Sequence, residues 1–155
     1  IRVHGACTRY YLPRMARCGS MTAMKLLRDV GIRHLVTVDP QVSLRRAAQS
    51  MTDRGVGCAV VVTDQKVSGI ITERDILKAV AASQDVDATE VESVMTPDVI
   101  SGTPGWTVIK AVETMVERGF RHLLIMEMDE PVGIVSLRDL MDTMAEMAQE
   151  EDASA

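Results

Sequence analysis

The chain has 155 residues, enough for one substantial hydrophobic core, and its 46% apolar and 25% charged residues are ordinary for a globular protein. Aromatic residues make up only 3%, so few side chains could stack on bases, and the net charge of −5 gives no general attraction to nucleic acid or anionic lipid. These values argue against nucleic-acid and membrane partners, so an anionic ligand would need a local cluster of positive charge.

Residues 1–20 differ from the rest, because they contain four arginines and no acidic residue, so the remainder carries a net charge of −9. They contain no continuous apolar run, and a secretory signal is not predicted. The sequence GSM at 19–21 resembles a vector junction followed by a natural start, which favours a vector-derived or disordered leader over a genuine basic arm. His4, Cys7 and Cys18 lie here without a spaced fourth ligand, so no metal site is predicted.

The rest of the chain is an internal repeat with an offset of 64 residues. The segment GIITERDIL at 69–77 returns as GIVSLRDLM at 133–141, and 30–75 aligns with 94–139 without an insertion. A match of this length indicates two copies of one supersecondary unit. We predict a first copy at 21–83, a second copy at 84–149 and an acidic tail at 150–155.

In chain order, each copy predicts the elements β-α-β-β-α. Copy one begins with an apolar strand at 35–38, followed by a helix with an N-cap at Ser43 and apolar residues at i, i+3, i+4 and i+7. Gly55 is predicted to end this helix in the left-handed conformation. Strands at 58–63 and 67–72 then lead into a second helix. Copy two has a helix N-cap at Thr107, a left-handed helix end at Gly119 in the pair Arg118-Gly119, and strands at 99–101, 122–126 and 132–136.

One such unit cannot cover both faces of its own small sheet. We therefore predict an α/β fold of the α+β type, in which two units pack sheet to sheet about a pseudo-two-fold axis and leave two related clefts. Cys58 lies in the apolar run CAVVV and is predicted to be buried. An odd number of cysteines without a CxxC pair favours a reducing, cytoplasmic setting.

Each copy places a hydroxyl residue before its second helix and an aspartate three positions later, which is typical of a helix-capping box. The alternative is a nucleotide site, because a helix N-terminus with a hydroxyl and an arginine suits phosphate, and a carboxylate can accept hydrogen bonds from a ribose. In that case the aspartate is expected to lie in an open cleft without a folding partner. The residues alone leave both interpretations open. The motif residues are Thr72, Arg74 and Asp75 in copy one and Ser136, Arg138 and Asp139 in copy two.

Together with these motifs, the strand entry RGFRHLLIM and the VMT opening of copy two make residues 24–145 resemble a pair of CBS domains, the Bateman module. The resemblance implies an adenosine-containing ligand, with AMP, ADP, ATP, S-adenosylmethionine and NAD as candidates, and no required cofactor. It also implies that Asp75 and Asp139 hold ribose hydroxyls, while the motif hydroxyls and arginines face phosphate or ribose. Further implied contacts are Val36 and Ile100 for adenine and Arg121 and His122 for phosphate.

Copy one has Gly57 and Cys58 where copy two has Arg121 and His122. The resemblance therefore predicts that the copy-two cleft binds phosphate better than the copy-one cleft. The pattern contains no P-loop, G-x-S-x-G or H-E-x-x-H motif, so an enzyme is not predicted.

Two functions remain open at this point. One is a regulatory sensor of an adenosyl ligand that acts through an unknown effector protein. The other is a structural module for dimerisation or docking that binds no ligand. Methionines at helical spacing in the last helix, at Met141 and Met144, favour a homodimer if they are exposed.

Overall fold

The computed structural model of the protein describes residues 25–30 and 35–153. The predictions for the leader, including His4, Cys7 and Cys18, lie outside the described residues. Within the described part, two three-stranded sheets each carry two helices, and the second unit repeats the first. The predicted α+β fold of two β-α-β-β-α units is thereby confirmed.

The elements of the first unit are β1 Thr37–Val38, α1 Leu44–Asp53, β2 Cys58–Thr63, β3 Lys66–Thr72 and α2 Glu73–Ala81. β1 runs parallel to β2, and β2 runs antiparallel to β3. β1 has two residues, whereas the sequence predicted a strand of four. Val36 lies just before β1, and its carbonyl oxygen accepts a hydrogen bond from Val60 N–H at 2.8 Å.

The elements of the second unit are β4 Ser101–Gly102, α3 Val108–Arg118, β5 His122–Glu127, β6 Glu130–Ser136 and α4 Leu137–Ala153. The strand order and directions are the same as in the first unit, with β4 parallel to β5 and β5 antiparallel to β6. β4 is shifted toward the C-terminus relative to the predicted strand at 99–101.

The first helix of each unit begins and ends as its sequence predicts. Ser43 Oγ accepts a hydrogen bond from Arg46 N–H at 3.3 Å, and Thr107 Oγ1 accepts one from Lys110 N–H at 3.1 Å. Both hydroxyls therefore satisfy a backbone donor that the helix leaves open. After these helices the chain turns through a left-handed residue, Gly55 with φ of 62° in one unit and Gly119 with φ of 74° in the other.

Each unit buries its own apolar core between its sheet and its helices, and each core is completed by a segment from outside the unit. Val91, which precedes the first strand of copy two, is fully buried in the core of copy one. Leu27, which precedes the first strand of copy one, is fully buried in the core of copy two, and its N–H donates to the Trp106 carbonyl at 2.9 Å. The segments before the first strands of the two copies therefore cross over to the opposite units.

The two sheets contact each other through a smaller apolar cluster. Its buried members are Cys58 of β2, Ile70 of β3 and Ile134 of β6, with the partly buried Leu35 and Val99 beside them. The predicted sheet-to-sheet contact is present. Most apolar burial, however, lies between each sheet and the helices that cover it.

Candidate functional site

Both motif aspartates lie in the first turn of a helix and accept hydrogen bonds from the residue that precedes that helix. Asp75 Oδ2 accepts hydrogen bonds from Thr72 N–H at 3.0 Å and from Thr72 Oγ1 at 2.7 Å. Asp139 Oδ2 accepts the same pair from Ser136, at 3.0 and 2.6 Å. The expectation that these carboxylates lie in open clefts without folding partners was therefore wrong, because each one fixes the first turn of its helix.

Capping leaves part of the Asp75 carboxylate available. Its Oδ1 atom lies 3.6 Å from Lys78 Nζ, and the side chain as a whole is 13% exposed. Because Oδ2 is held by Thr72, the plane of the carboxylate is fixed, and Oδ1 stays on the side of the ammonium group. Asp75 can therefore cap α2 with Oδ2 and still contact a ligand with Oδ1.

A first cavity of about 290 Å³, here called the α2 cleft, opens beside this motif. Residues of both units line it, because the turn after α3 and the start of β5 face the N-terminus of α2. Its walls consist of Ile70, Thr72, Arg74, Asp75, Lys78, Thr96, Asp98, Val99, Ile100, Arg118, Gly119, Phe120, Arg121 and His122.

Positive charge is concentrated in the α2 cleft of this otherwise acidic protein. Four cationic side chains line it against two carboxylates, and one of these carboxylates, Asp75, already accepts hydrogen bonds from Thr72. The first amides of α2 add the positive end of a helix dipole. This combination is suited to an anion. The four cations are Arg74, Lys78, Arg118 and Arg121.

One wall of the α2 cleft is formed by the chain that links the two units. Ile70 and Thr96 exchange two backbone hydrogen bonds of 2.9 Å, which places the linking segment alongside β3. A side chain at Gly69 would meet Met95 Sδ at 2.6 Å and the Thr96 carbonyl oxygen at 3.0 Å. The absence of a side chain at the first motif position therefore permits this close approach.

A second cavity of about 600 Å³, here called the α4 cleft, opens beside the motif of copy two. It contains fewer charges than the α2 cleft, with two arginines and one carboxylate on its walls. The lining residues are Gly55, Val56, Gly57, Cys58, Glu73, Arg121, His122, Ile134, Ser136, Leu137, Arg138 and Met141.

The basis of the predicted difference in phosphate binding was wrong, because the basic pair Arg121 and His122 is not confined to the cleft of copy two. Arg121 and His122 line the α4 cleft together with Arg138, but they also line the α2 cleft. Gly57 and Cys58, their counterparts in the repeat, lie only on the α4 cleft. Each cleft is built from the motif of one copy and the β-strand entry of the other, so the basic pair of copy two also serves the motif of copy one.

Two other predicted site residues lie off the cavity walls. Val36 is 6% exposed and belongs to the core of the first unit, so its side chain faces no described cleft. Asp139 caps α4 but is not part of either lining. Ile100, the counterpart of Val36, is 40% exposed and lines the α2 cleft.

The α2 cleft also contains residues that the sequence interpretation missed. Lys78 lies one helical turn after Asp75, on the same side of α2, which was a usable signal. Arg118 stands out in the repeat as part of the pair Arg118-Gly119, but this pair was interpreted only as a helix end. Glu73 of the α4 cleft had no signal, since its counterpart in the repeat is Leu137.

The Cys58 thiol lies on the wall of the α4 cleft and is 5% exposed. Burial, and to a smaller extent the negative charge of Glu73, raise the pKa of Cys58 from 9.0 to about 12. The thiol is therefore protonated at neutral pH and has the character of a small apolar group.

In the part of the chain that the structure describes, no helix is both long and apolar enough to cross a membrane. The same part contains no group of three or more histidine, cysteine or acidic side chains arranged to hold a metal ion.

The chain belongs to the CBS domain family. The model of this family matches the sequence twice, at residues 27–82 and 91–146, so that both structural repeats are covered. This membership confirms the resemblance inferred from the duplicated motifs and from the strand entry of copy two.

Similar proteins include one without an assigned function and two with bound adenosine compounds. An uncharacterized 17.7 kDa protein of Acidianus ambivalens is 42% identical over 72% of this chain and 68% of its own length. A CBS domain protein from Pyrobaculum aerophilum, complexed with AMP, has a TM-score of 0.71 and 26% identity over 81% of this chain and 99% of that one. The CBS domain pair of protein MJ0100, in complex with 5′-methylthioadenosine and S-adenosyl-L-methionine, has a TM-score of 0.73 over 79% of this chain and 98% of that one, and its 23% identity supports the fold alone.

Proposed function

We propose that this protein is a regulatory module that binds an adenosine-containing ligand in the α2 cleft and transmits the bound state to an effector protein. The observation that carries the proposal is the group of four cations that line the α2 cleft together with the fixed carboxylate of Asp75. The AMP complex of the Pyrobaculum aerophilum relative supports the same class of ligand. The proposed activity is binding without catalysis and without a cofactor.

The residues of the α2 cleft divide into three proposed roles. Asp75 Oδ1 accepts a hydrogen bond from a ribose hydroxyl, while Oδ2 keeps its contacts with Thr72. Arg74 and Arg121, with the other cations of the cleft, bind phosphate. Val99 and Ile100 provide the apolar surface for the adenine ring.

The size of the α2 cleft favours a small member of the candidate set. Its volume of about 290 Å³ lies at the lower end of the range of small-molecule sites. A nucleoside monophosphate fits this volume better than a dinucleotide. Among AMP, ADP, ATP, S-adenosylmethionine and NAD, we therefore expect AMP to bind best in this cleft.

The α4 cleft is proposed as a second ligand site. Ser136 and Arg138 occupy the positions of Thr72 and Arg74 at the start of the last helix, and Arg121 lies on the opposite wall. The cavity is larger and less positively charged than the α2 cleft. We expect it to bind phosphate more weakly.

Thermal unfolding in the presence of each candidate ligand tests the proposal. A ligand at 100 times its dissociation constant adds about 2.7 kcal/mol to the free energy of unfolding. For a chain of this size the midpoint should rise by roughly 5–10 °C. We expect the largest shift with AMP, and a smaller shift with AMP in Arg74→Ala. The absence of a shift with all five compounds would contradict the proposal.

The chain is also proposed to form a homodimer. Leu77 and Val80 of α2 are 67% and 55% exposed, and Met141 of α4 is 54% exposed, whereas Met144 packs against the core of the second unit. Pairing through these helices would cover them. Light scattering should give about twice the chain mass of 16.9 kDa, and a mass equal to one chain would contradict the dimer.

A dimer is also expected if the protein is a structural module that binds no ligand. If it forms and none of the five ligands binds, the module is a dimerisation or docking unit instead of a sensor. The buried, protonated thiol of Cys58 is compatible with the proposed cytoplasmic setting.

A further inference from the structure

Arg121 stands between the two clefts and lines both of them. It precedes β5, and its carbonyl oxygen accepts a hydrogen bond from Leu137 N–H at 2.8 Å, which ties it to the start of α4. Its side chain is 48% exposed, so the guanidinium group can change partners without disturbing a packed core. A single permanent positive charge is therefore available to ligands on either side.

In this structure the Arg121 guanidinium is paired with Glu73. The distance from Arg121 Nη2 to Glu73 Oε1 is 3.2 Å, and the Glu73 side chain is 60% exposed. Glu73 is the first residue of α2 and lies on the wall of the α4 cleft. A side chain at Gly57 would come within 3.0 Å of Glu73 Oε2, so this glycine leaves the space that the carboxylate occupies.

The ion pair occurs on one side of the pseudo-two-fold axis only. With an offset of 64 residues, the counterpart of Glu73 is Leu137 and the counterpart of Arg121 is Gly57. The equivalent pair would therefore consist of a leucine and a glycine, which cannot form an ion pair. The Glu73–Arg121 pair consequently makes the two clefts electrostatically different, although the two units that form them have the same fold.

From these contacts we infer that the Glu73–Arg121 pair couples ligand binding in the two clefts. Glu73 determines which ligand the α4 cleft accepts when the α2 cleft is occupied. The inference rests on the proposed function. A phosphate in the α2 cleft attracts Arg121, and Glu73 then remains on the wall of the α4 cleft as an uncompensated negative charge. That charge opposes a second phosphate and admits an adenosyl ligand with an uncharged or cationic substituent. The favoured combination is one phosphorylated and one non-phosphorylated ligand.

Calorimetric titration of AMP and of 5′-methylthioadenosine, each alone and after saturation with the other, tests this inference on the full chain. We expect bound AMP to weaken a second AMP but to leave 5′-methylthioadenosine binding unchanged. In Glu73→Gln, which keeps the size of the side chain, the second AMP should bind more tightly by roughly two- to fivefold, the effect expected for a half-exposed charge pair. The affinity for 5′-methylthioadenosine should change by less than the affinity for the second AMP.

Glu127→Gln is the matched control, because Glu127 is exposed at the end of β5 and lines neither cleft. It should behave as the unchanged protein. Equal second-site AMP affinities in Glu73→Gln and the unchanged protein would overturn the inference while the proposed function stands. If neither AMP nor 5′-methylthioadenosine binds the unchanged protein, the proposed function fails, and the inference fails with it.

Discussion

The Asp75 carboxylate uses its two oxygen atoms differently. Oδ2 accepts two hydrogen bonds from Thr72 and caps α2, whereas Oδ1 lies 3.6 Å from Lys78 Nζ on the wall of the α2 cleft. Asp139 makes the equivalent cap with Ser136 but lines neither the α2 cleft nor the α4 cleft. The two residues are therefore a natural comparison, because they share a structural role and differ in their access to a ligand.

We predict that Asp75→Ala lowers both stability and binding. Loss of the cap should reduce the free energy of unfolding by about 1 kcal/mol. Loss of a charged acceptor should weaken AMP by roughly tenfold to a hundredfold. Asp139→Ala should cost about the same stability but little AMP affinity at the tighter site. Urea unfolding and calorimetric titration measure the two quantities, and equal losses of affinity in both variants would show that the cavity walls do not identify the ligand site.

The raised pKa of Cys58 predicts a loss of stability at alkaline pH. In the unfolded chain the thiol ionises near its ordinary pKa of 9.0, whereas in the folded protein it stays protonated up to about pH 12. Between these values the unfolded state binds fewer protons, so the stability falls as the pH rises, by at most about 1.4 kcal/mol per pH unit. Comparison with Cys58→Ala at pH 8 and pH 10 isolates this contribution. The unchanged protein should lose more stability over that interval, and parallel losses would contradict the prediction.

At the scale of elements, the α2 cleft depends on how closely the linking segment approaches β3. The paired backbone hydrogen bonds between Ile70 and Thr96 hold this segment in place, and Gly69 provides the room. Ile100 and Asp98 of the cleft wall follow directly in sequence. A displacement of this segment would therefore alter both the packing between the units and the shape of the site.

Gly69→Ala should accordingly affect stability and binding together. Its added methyl group would overlap Met95 Sδ and press on the Thr96 carbonyl oxygen, and we expect a loss of about 1–3 kcal/mol with weaker AMP binding. Gly105→Ala is the control, because the nearest atom to its added group is Thr103 Oγ1 at 3.9 Å. The control should change stability by less than about 0.5 kcal/mol. Equal melting temperatures for the two variants would show that the close approach is not required.

The repeat made the elements predictable, because the apolar periodicity and the hydroxyl N-caps depend on local sequence. Ser43, Thr107 and Gly119 have the predicted roles. The arrangement of the clefts was not predictable in this way. The repeat identifies which residues of the two copies are equivalent, but it does not show which segments of one copy lie against the other. Arg121 lines both clefts because of the tertiary packing of the two units, which the local sequence does not indicate. The ion pair with Glu73 escaped prediction for the same reason, because the two residues are 48 positions apart.

At the scale of the whole molecule, the exchange of the preceding segments joins the two units. Val91 is fully buried in the core of the first unit, and Leu27 is fully buried in the core of the second. Separating the chain between the copies would remove a buried side chain from each core. A ligand that alters one cleft would therefore act on a molecule whose two halves share their packing.

This exchange predicts that the two units unfold together. Val91→Ala should remove about 1–3 kcal/mol from the core of the first unit. Trp106 is the single tryptophan of the chain and packs against the core of the second unit, so its fluorescence reports on that unit, while far-ultraviolet circular dichroism reports on both. We expect Val91→Ala to lower the urea midpoint of both signals by the same amount, because a single cooperative transition links them. Val116→Ala, at a valine that is 57% exposed, is the matched control and should leave both midpoints in place. If the circular dichroism midpoint falls while the Trp106 midpoint does not move, the units unfold separately, and the crossed segments do not couple them.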